Sequence, residues 1–321
     1  TGRGKMIMTS NGKDSLITEN GCTRFNLYYD PPHDKKYFEH LMEYLVNYYK
    51  AATFGKVNIE FVVKPDGDTA AYQLPHNLAF YGDIETWPEG FFALMEDALR
   101  AADEDTTLNF SDLDNNGVPD AEEGVLDRYL IFHAGSAWQT DMGDTPLDLP
   151  AATILGYPYF GVVVDEGQDT VYDVSILPET MSQDGVEIKI QGTLCHEMGH
   201  EMFLYPDLYD VQGTGIGIGA FGLMGVSYFL GISDSIPEGL FVSLPNVWER
   251  KWLSWILDLT WGTGTGFLTE PLYQIVSPTE RANSINIWPS EILLDTLGNF
   301  LEDPHSHLRF LKVPINSHEY Y

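Results

Sequence analysis

From Lys35 to Ala51 the apolar residues fall at Phe38, Leu41, Met42, Leu45, Tyr48 and Tyr49, which is the spacing of one helix face. Pro31-Pro32-His33-Asp34 precedes them, and Asp34 offers the side-chain oxygen of an N-cap. Similar spacing predicts helices over Phe91–Ala102 and Leu194–Phe203. Asn246 is a cap residue for a further helix to about Ile256, with Trp248, Trp252 and Trp255 on one stripe. The alternation in Val57-Asn58-Ile59-Glu60-Phe61-Val62-Val63 predicts a half-buried strand. The short apolar runs Tyr129–Phe132 and Phe160–Val164 predict buried strands, and Leu308–Val313 is strand-like. Residues 1–30 carry neither period and are predicted irregular, while 211–236, rich in Gly and small residues, are predicted loop.

After Gly262-Thr263-Gly264-Thr265-Gly266 the pattern changes to short strands and turns, which sets a boundary there. The predicted organisation is therefore an irregular segment at 1–30, a main domain at 31–262 and a β-rich segment at 263–321. The last segment reads as cut or processed, because its sheet has no obvious close. There is no internal repeat.

A chain of 321 residues that is 44% hydrophobic is long and apolar enough to bury a sizeable core. Lys plus Arg number 17 against 48 Asp plus Glu, a formal net charge of −31. That field repels phosphate backbones and anionic lipid surfaces, so nucleic-acid partners are disfavoured, and it attracts cations. No run reaches the roughly 20 apolar residues of a membrane span, and Thr1–Gly12 lacks the apolar core of a signal peptide. Cys22 and Cys195 make no disulfide framework; one bridge or two free thiols are both compatible with them. The sequence carries no signal of oligomeric state.

The strongest chemical signal is His196-Glu197-Met198-Gly199-His200. On a helix, residues i and i+4 stand one turn apart on one face, so the two imidazoles can grip one zinc ion. Glu197 is then placed to act as general base without binding the metal. Zinc lowers the pKa of a bound water from 15.7 to about 7, which makes hydroxide available at neutral pH. The bland alternative is a surface helix with two solvated histidines. Leu194, Cys195 and Met198 argue against it, since they mark a partly buried helix and a buried His-Glu-His cluster needs a partner. A third ligand is sought in Tyr205-Pro206-Asp207-Leu208-Tyr209-Asp210. Pro206 biases Tyr205 away from helix, so the chain turns and can return a carboxylate, Asp207 first and Asp210 second.

A second metal signal is Asp112-Leu113-Asp114-Asn115-Asn116-Gly117-Val118-Pro119-Asp120-Ala121-Glu122-Glu123, which fits the D-x-D-x-N-G-x5-E template. Asp112, Asp114, Asn116, Val118 through its carbonyl, and Glu123 would supply hard oxygens to calcium around the turn at Gly117. The apolar run after the loop is strand-like, so an EF-hand with two flanking helices is not expected. The role predicted for the ion is structural.

Gly192-Thr193-Leu194-Cys195-His196-Glu197-Met198-Gly199-His200, then Pro206-Asp207-Leu208-Tyr209-Asp210, then Gly222-Leu223-Met224-Gly225 resemble the immune inhibitor A family of secreted, metzincin-like zinc endopeptidases. Tyr48-Tyr49-Lys50 with Phe54-Gly55-Lys56-Val57, Ile131-Phe132-His133-Ala134-Gly135 and Asn316-Ser317-His318-Glu319-Tyr320-Tyr321 agree with it, so the likeness covers roughly 31–321. It implies an α+β fold with a zincin/metzincin-like catalytic domain, in which a twisted mixed sheet carries the active-site helix, followed by a short β-rich segment. It also implies zinc on His196, His200 and Asp207, Glu197 as general base, and Met224 as the methionine of a turn beneath the metal. Protein or peptide substrates and a secreted or cell-surface location follow from it too. Tyr228, four residues beyond Met224, would be a metal or oxyanion contact of the kind some metzincins use; a packed aromatic is the alternative.

The chain departs from the family at Phe203, where a glycine usually ends the helix, and its Pro-Asp pair comes one residue later than usual. A left-handed Phe203 would be costly, so a longer helix turning at Leu204-Tyr205 is expected instead. Two rival functions are compatible with these residues. One is a non-catalytic surface or assembly module on a protease fold. The other is a thermolysin-type peptidase whose third ligand is Glu238 or Glu249.

Overall fold

A computed structural model describes residues 33–261 apart from 69, 84, 86, 141–147, 157, 184–186 and 231–237, together with four short strands outside that range. Side chains at 254–255, at 257–261 and in those four strands are not described. Two of the strands, β1 (Leu16–Glu19) and β2 (Cys22–Phe25), pair antiparallel with Glu19 opposite Cys22. The irregular segment expected at 1–30 therefore contains a ladder. Its sequence signal is Asn20-Gly21 between the paired residues, a two-residue hairpin dipeptide that a search for hydrophobic period passes over.

Helix α1 spans Lys35–Ala52, with the Asp34 carboxylate accepting the Tyr37 N–H at its start. Its apolar stripe is buried through Phe38, Leu41, Leu45 and Tyr49. Residues 57–63, predicted as a strand, form no ladder. They alternate in burial, and Val57, Ile59 and Val63 lie against the core beside α1. The period of two thus reports one face against the core; a cavity of about 1690 Å³ is lined by this segment and by Tyr129–Ala134.

One-turn helix α2 (Leu78–Tyr81) leads to α3 (Glu89–Asp103), which extends the predicted Phe91–Ala102 by two residues and one residue at its ends. One turn of helix, α4 (Asp120–Glu123), closes the acidic loop. Then come β3 (Tyr129–His133), β4 (Ala152–Leu155), the antiparallel pair β5 (Val162–Val164) and β6 (Asp169–Val171), and β7 (Asp173–Pro178). The central sheet runs β3-β7-β4, with β3 parallel and β4 antiparallel to β7. The fold class is α+β with a small mixed sheet.

Side chains of β3 alternate between two cores. Leu130 and Phe132 face the cluster built on α1 and on α5 (Gln191–Phe203), and Tyr129 and Ile131 face the cluster built on α3. A strand covered on both sides reads as a continuous apolar run, which is how Tyr129–Phe132 looks in the sequence. Helix α6 (Val247–Trp261) starts at the predicted cap: Asn246 Oδ1 accepts the N–H groups of Trp248 and Glu249. Trp248 and Trp252 stack at 5.4 Å, while the Trp255 side chain lies outside the described residues. Of the segment at 263–321, only the parallel pair β8 (Tyr273–Ile275) and β9 (Phe310–Lys312) is described. Among the described residues no helix is long and apolar enough to cross a membrane.

Candidate metal centre

Helix α5 packs on the sheet through its acidic residues as well as its apolar ones. Fully buried Glu201 accepts hydrogen bonds from Ser175 Oγ on β7 (2.5 Å) and from the Tyr129 N–H on β3 (2.8 Å). Burial pushes its carboxyl up to about 7, against the lowering effect of those hydrogen bonds. On the other side α1 crosses α5, and Tyr49 Oη donates to the Cys195 carbonyl at 2.6 Å. Gly199 makes this approach possible: a Cβ there would stand 3.0 Å from Tyr49 Oη and 3.1 Å from the Tyr205 ring. Cys195 is a buried free thiol.

Helix α5 runs through Phe203, the longer helix expected from the sequence. Phe203 stays helical and buried, and Leu204 takes the left-handed conformation (φ 52°) with its N–H bonded to the His200 carbonyl at 2.9 Å. A non-glycine residue there costs roughly 1–2 kcal/mol. The extra helical residue and the delayed Pro-Asp pair offset each other, so Asp207 still returns to the helix.

His196 Nε2, His200 Nε2 and Asp207 Oδ1 form a nearly equilateral triangle. The nitrogens are 3.2 Å apart, and the oxygen is 3.1 Å from the first and 3.2 Å from the second. Three tetrahedral zinc ligands with bonds of about 2.0–2.1 Å would stand roughly 3.3–3.4 Å apart. Each imidazole places Nδ1 against a backbone carbonyl, of Leu223 for His196 and of Tyr205 for His200. Those carbonyls take the Nδ1 protons, so the Nε2 lone pairs face Asp207. Asp207 Oδ1 is buried and has no hydrogen-bond partner among the described residues. Two imidazole nitrogens and a carboxylate oxygen at that spacing fit a borderline divalent cation such as zinc.

Asp207 and His200 shift each other's protonation equilibria. Burial raises the Asp207 carboxyl, but the two imidazoles outweigh it and hold the group well below the usual carboxylate range. For His200, burial opposes the charged form, yet Asp207 and Glu197 raise the pKa on balance. Glu197 is raised by burial, with His196, His200 and Thr153 working against that. Its Oε2 lies 3.0 Å from Thr153 Oγ1, so β4 holds the carboxylate.

Met224 is fully buried in the turn at Gly222–Gly225. Its carbonyl accepts the Leu208 N–H (2.8 Å) one residue past Asp207, while the neighbouring Leu223 carbonyl faces His196. The Tyr228 ring lies 4.8 Å from the His196 ring and is tilted by 59°. Tyr209, to which sequence reasoning attached no role, stacks on His196 at 6.0 Å. Its position two residues after the ligand was the available signal. Asp210, the second choice for the third ligand, instead accepts bonds from Thr214 Oγ1 and the Gln212 N–H, which is turn chemistry. Neither glutamate of the thermolysin-type alternative joins the triangle. Glu238 is exposed, and buried Glu249 is occupied by the N–H groups of Met224 and Asn246.

In the acidic loop, carboxylate oxygens of Asp112, Asp114 and Asp120 lie within 4.8 Å of one another. Asp112 accepts the N–H groups of Asn116 and Gly117, and Gly117 has a φ of 87° that favours glycine. The Asn116 amide donates to both Glu123 oxygens at 3.1 Å, which keeps that pair beside the cluster. The structure gives no contact for the Val118 carbonyl, whose side chain is exposed. Asp120, absent from the predicted set, is buried, and its Oδ2 accepts the Leu113 N–H at 2.8 Å. It occupies position nine of the template, where such loops often place a further oxygen ligand.

Family models were compared with the chain and none matches; a comparison with curated proteins also finds no match.

Proposed function

We propose that the chain is a zinc-dependent endopeptidase with a metzincin-like catalytic domain, acting on extracellular proteins from a secreted or cell-surface location. The observation that supports this best is the triangle of His196, His200 and Asp207, three donors at near-tetrahedral spacing with the Asp207 oxygen otherwise unpartnered. Zinc held there supplies a Lewis acid for the scissile carbonyl and lowers the pKa of water. Calcium in the Asp112–Glu123 loop is proposed as a second, structural ion, with Asp120 added to its ligands.

The remaining steps belong to the chain's own residues. Among the described residues strand β4 borders β7 alone in its sheet, so an extended peptide can add to its other edge by main-chain hydrogen bonds. That edge adjoins Glu197 through Thr153. Glu197 takes the proton of the attacking water and returns it to the leaving amine; partial desolvation raises its basicity for this task. Tyr209 and Tyr228 wall the histidine side of the site.

Casein or gelatin cleavage by the zinc-loaded protein, abolished by a chelator and restored by zinc, tests the activity. Glu197→Gln should keep stoichiometric zinc and lower the rate by about 10²–10⁴-fold. Equal activity of that variant would refute the mechanism, and stoichiometric zinc with no cleavage of any protein would favour the non-catalytic module.

A further inference from the structure

Glu249 is completely buried, yet it touches neither histidine nor Asp207. Its Oε2 accepts the Asn246 N–H (2.5 Å), while Asn246 Oδ1 accepts the Glu249 N–H (3.0 Å). That reciprocal pair is a capping box at the start of α6. A capping box needs only one carboxylate oxygen and works on the surface. Here the second oxygen reaches across to the methionine turn: Oε1 accepts the Met224 N–H at 2.7 Å. Gly222 leaves room for this, since a Cβ there would stand 2.6 Å from Glu249 Oε2 and 2.6 Å from the Asn246 amide.

The gripped peptide is the one whose carbonyl faces the first histidine. Leu223 O lies 3.2 Å from His196 Nδ1. A carbonyl at Nδ1 decides which ring nitrogen carries the proton, and therefore which one presents a lone pair to a metal. We propose that Glu249 is a positioning residue of the metal centre: by anchoring the Leu223–Met224 backbone to α6, it holds His196 in the Nδ1–H tautomer with Nε2 facing His200 and Asp207. Its effect on metal affinity rests on the metal reading of the triangle; its effect on the tautomer does not.

The test uses Glu249→Gln beside Glu179→Gln. Glu179 is also buried, and its carboxylate bonds His33 Nδ1 and accepts the Gly135 N–H, but it is not one of the triangle's groups. A purely structural role would make the two variants alike. Positioning predicts that Glu249→Gln binds zinc about 10–100-fold more weakly in chelator competition, whereas Glu179→Gln keeps wild-type affinity. In the zinc-free protein at pH 8.5, ¹⁵N imidazole shifts should report Nδ1–H at His196 in wild type and a mixture of tautomers in Glu249→Gln. A folded Glu249→Gln with wild-type zinc affinity and an unchanged tautomer would overturn the proposal. If Glu249→Gln does not fold, Glu249→Asp replaces it, since the shorter carboxylate cannot span both Asn246 and Met224, and the same two readouts decide. Failure of wild type to bind zinc would sink the metal reading alone and leave the tautomer measurement to judge Glu249.

Discussion

Zinc should stabilise the folded chain by an amount that depends on Asp207. The three donor atoms stand 3.1–3.2 Å apart, so closing on zinc moves each pair by only about 0.2 Å relative to tetrahedral spacing. Little ordering is left to offset binding, and free zinc at a thousand times its Kd adds about 4.1 kcal/mol to the unfolding free energy. For a folded unit of this size that corresponds to a rise in Tm of about 8–16 °C. Asp207→Ala removes the only anionic donor and leaves two imidazoles. If affinity falls about a thousandfold, the same zinc concentration adds only about 0.4 kcal/mol, near 1 °C. Calorimetric scans of chelated and zinc-loaded samples measure both shifts, each variant being compared with its own chelated form. The reasoning fails if wild type shows no shift, or if Asp207→Ala keeps the full one.

Acid should destabilise the fold through His133, whose pKa burial lowers to about 4 from an ordinary value of 6.5. Between those values the unfolded chain binds more protons, so stability present at neutral pH is lost as pH falls, by about 3 kcal/mol at this site. Urea titrations from pH 7 to pH 4 should show wild type losing that much more than His133→Gln; parallel losses would count against the assignment. Leu204 is half-exposed and left-handed, so Leu204→Gly should raise the unfolding free energy by about 1 kcal/mol, read from the denaturation midpoint at unchanged m. Calcium binding measured by isothermal titration calorimetry should disappear in Asp112→Ala and weaken in Asp120→Asn; an unaffected isotherm in both would remove the loop from consideration.

Local signals were enough for α1, α3, α5 and the start of α6, but not for the one-turn α2 and α4 or for the end of α6, which runs five residues past Ile256. The period of α1, its Asp34 cap, the i and i+4 histidines of α5 and the Asn246 cap of α6 each involve residues within a turn or two of one another. Such contacts form wherever the segment lies, so the sequence alone determined them to within a few residues. The acidic loop was legible for the same reason, its template being contiguous. β7 has no such signal: it carries a mixed run of polar and apolar residues, and it is central because β3 and β4 pair with it from 45 and from 18–24 residues away.

Tertiary structure decided everything that depends on where distant segments meet. It left 57–63 without a ladder despite the alternation, because alternation records a buried face and not a hydrogen-bonding neighbour. It placed Asp207 rather than Asp210 beside the histidines, after a helix end whose left-handed residue is Leu204. It also gave Glu249 work that no motif announces, since a carboxylate gripping the backbone of a loop 25 residues upstream is specified by packing across the core. Side-chain chemistry can be listed from a sequence, but the spacing of three donors to within about 0.2 Å of tetrahedral ligands is a property of the assembled backbone.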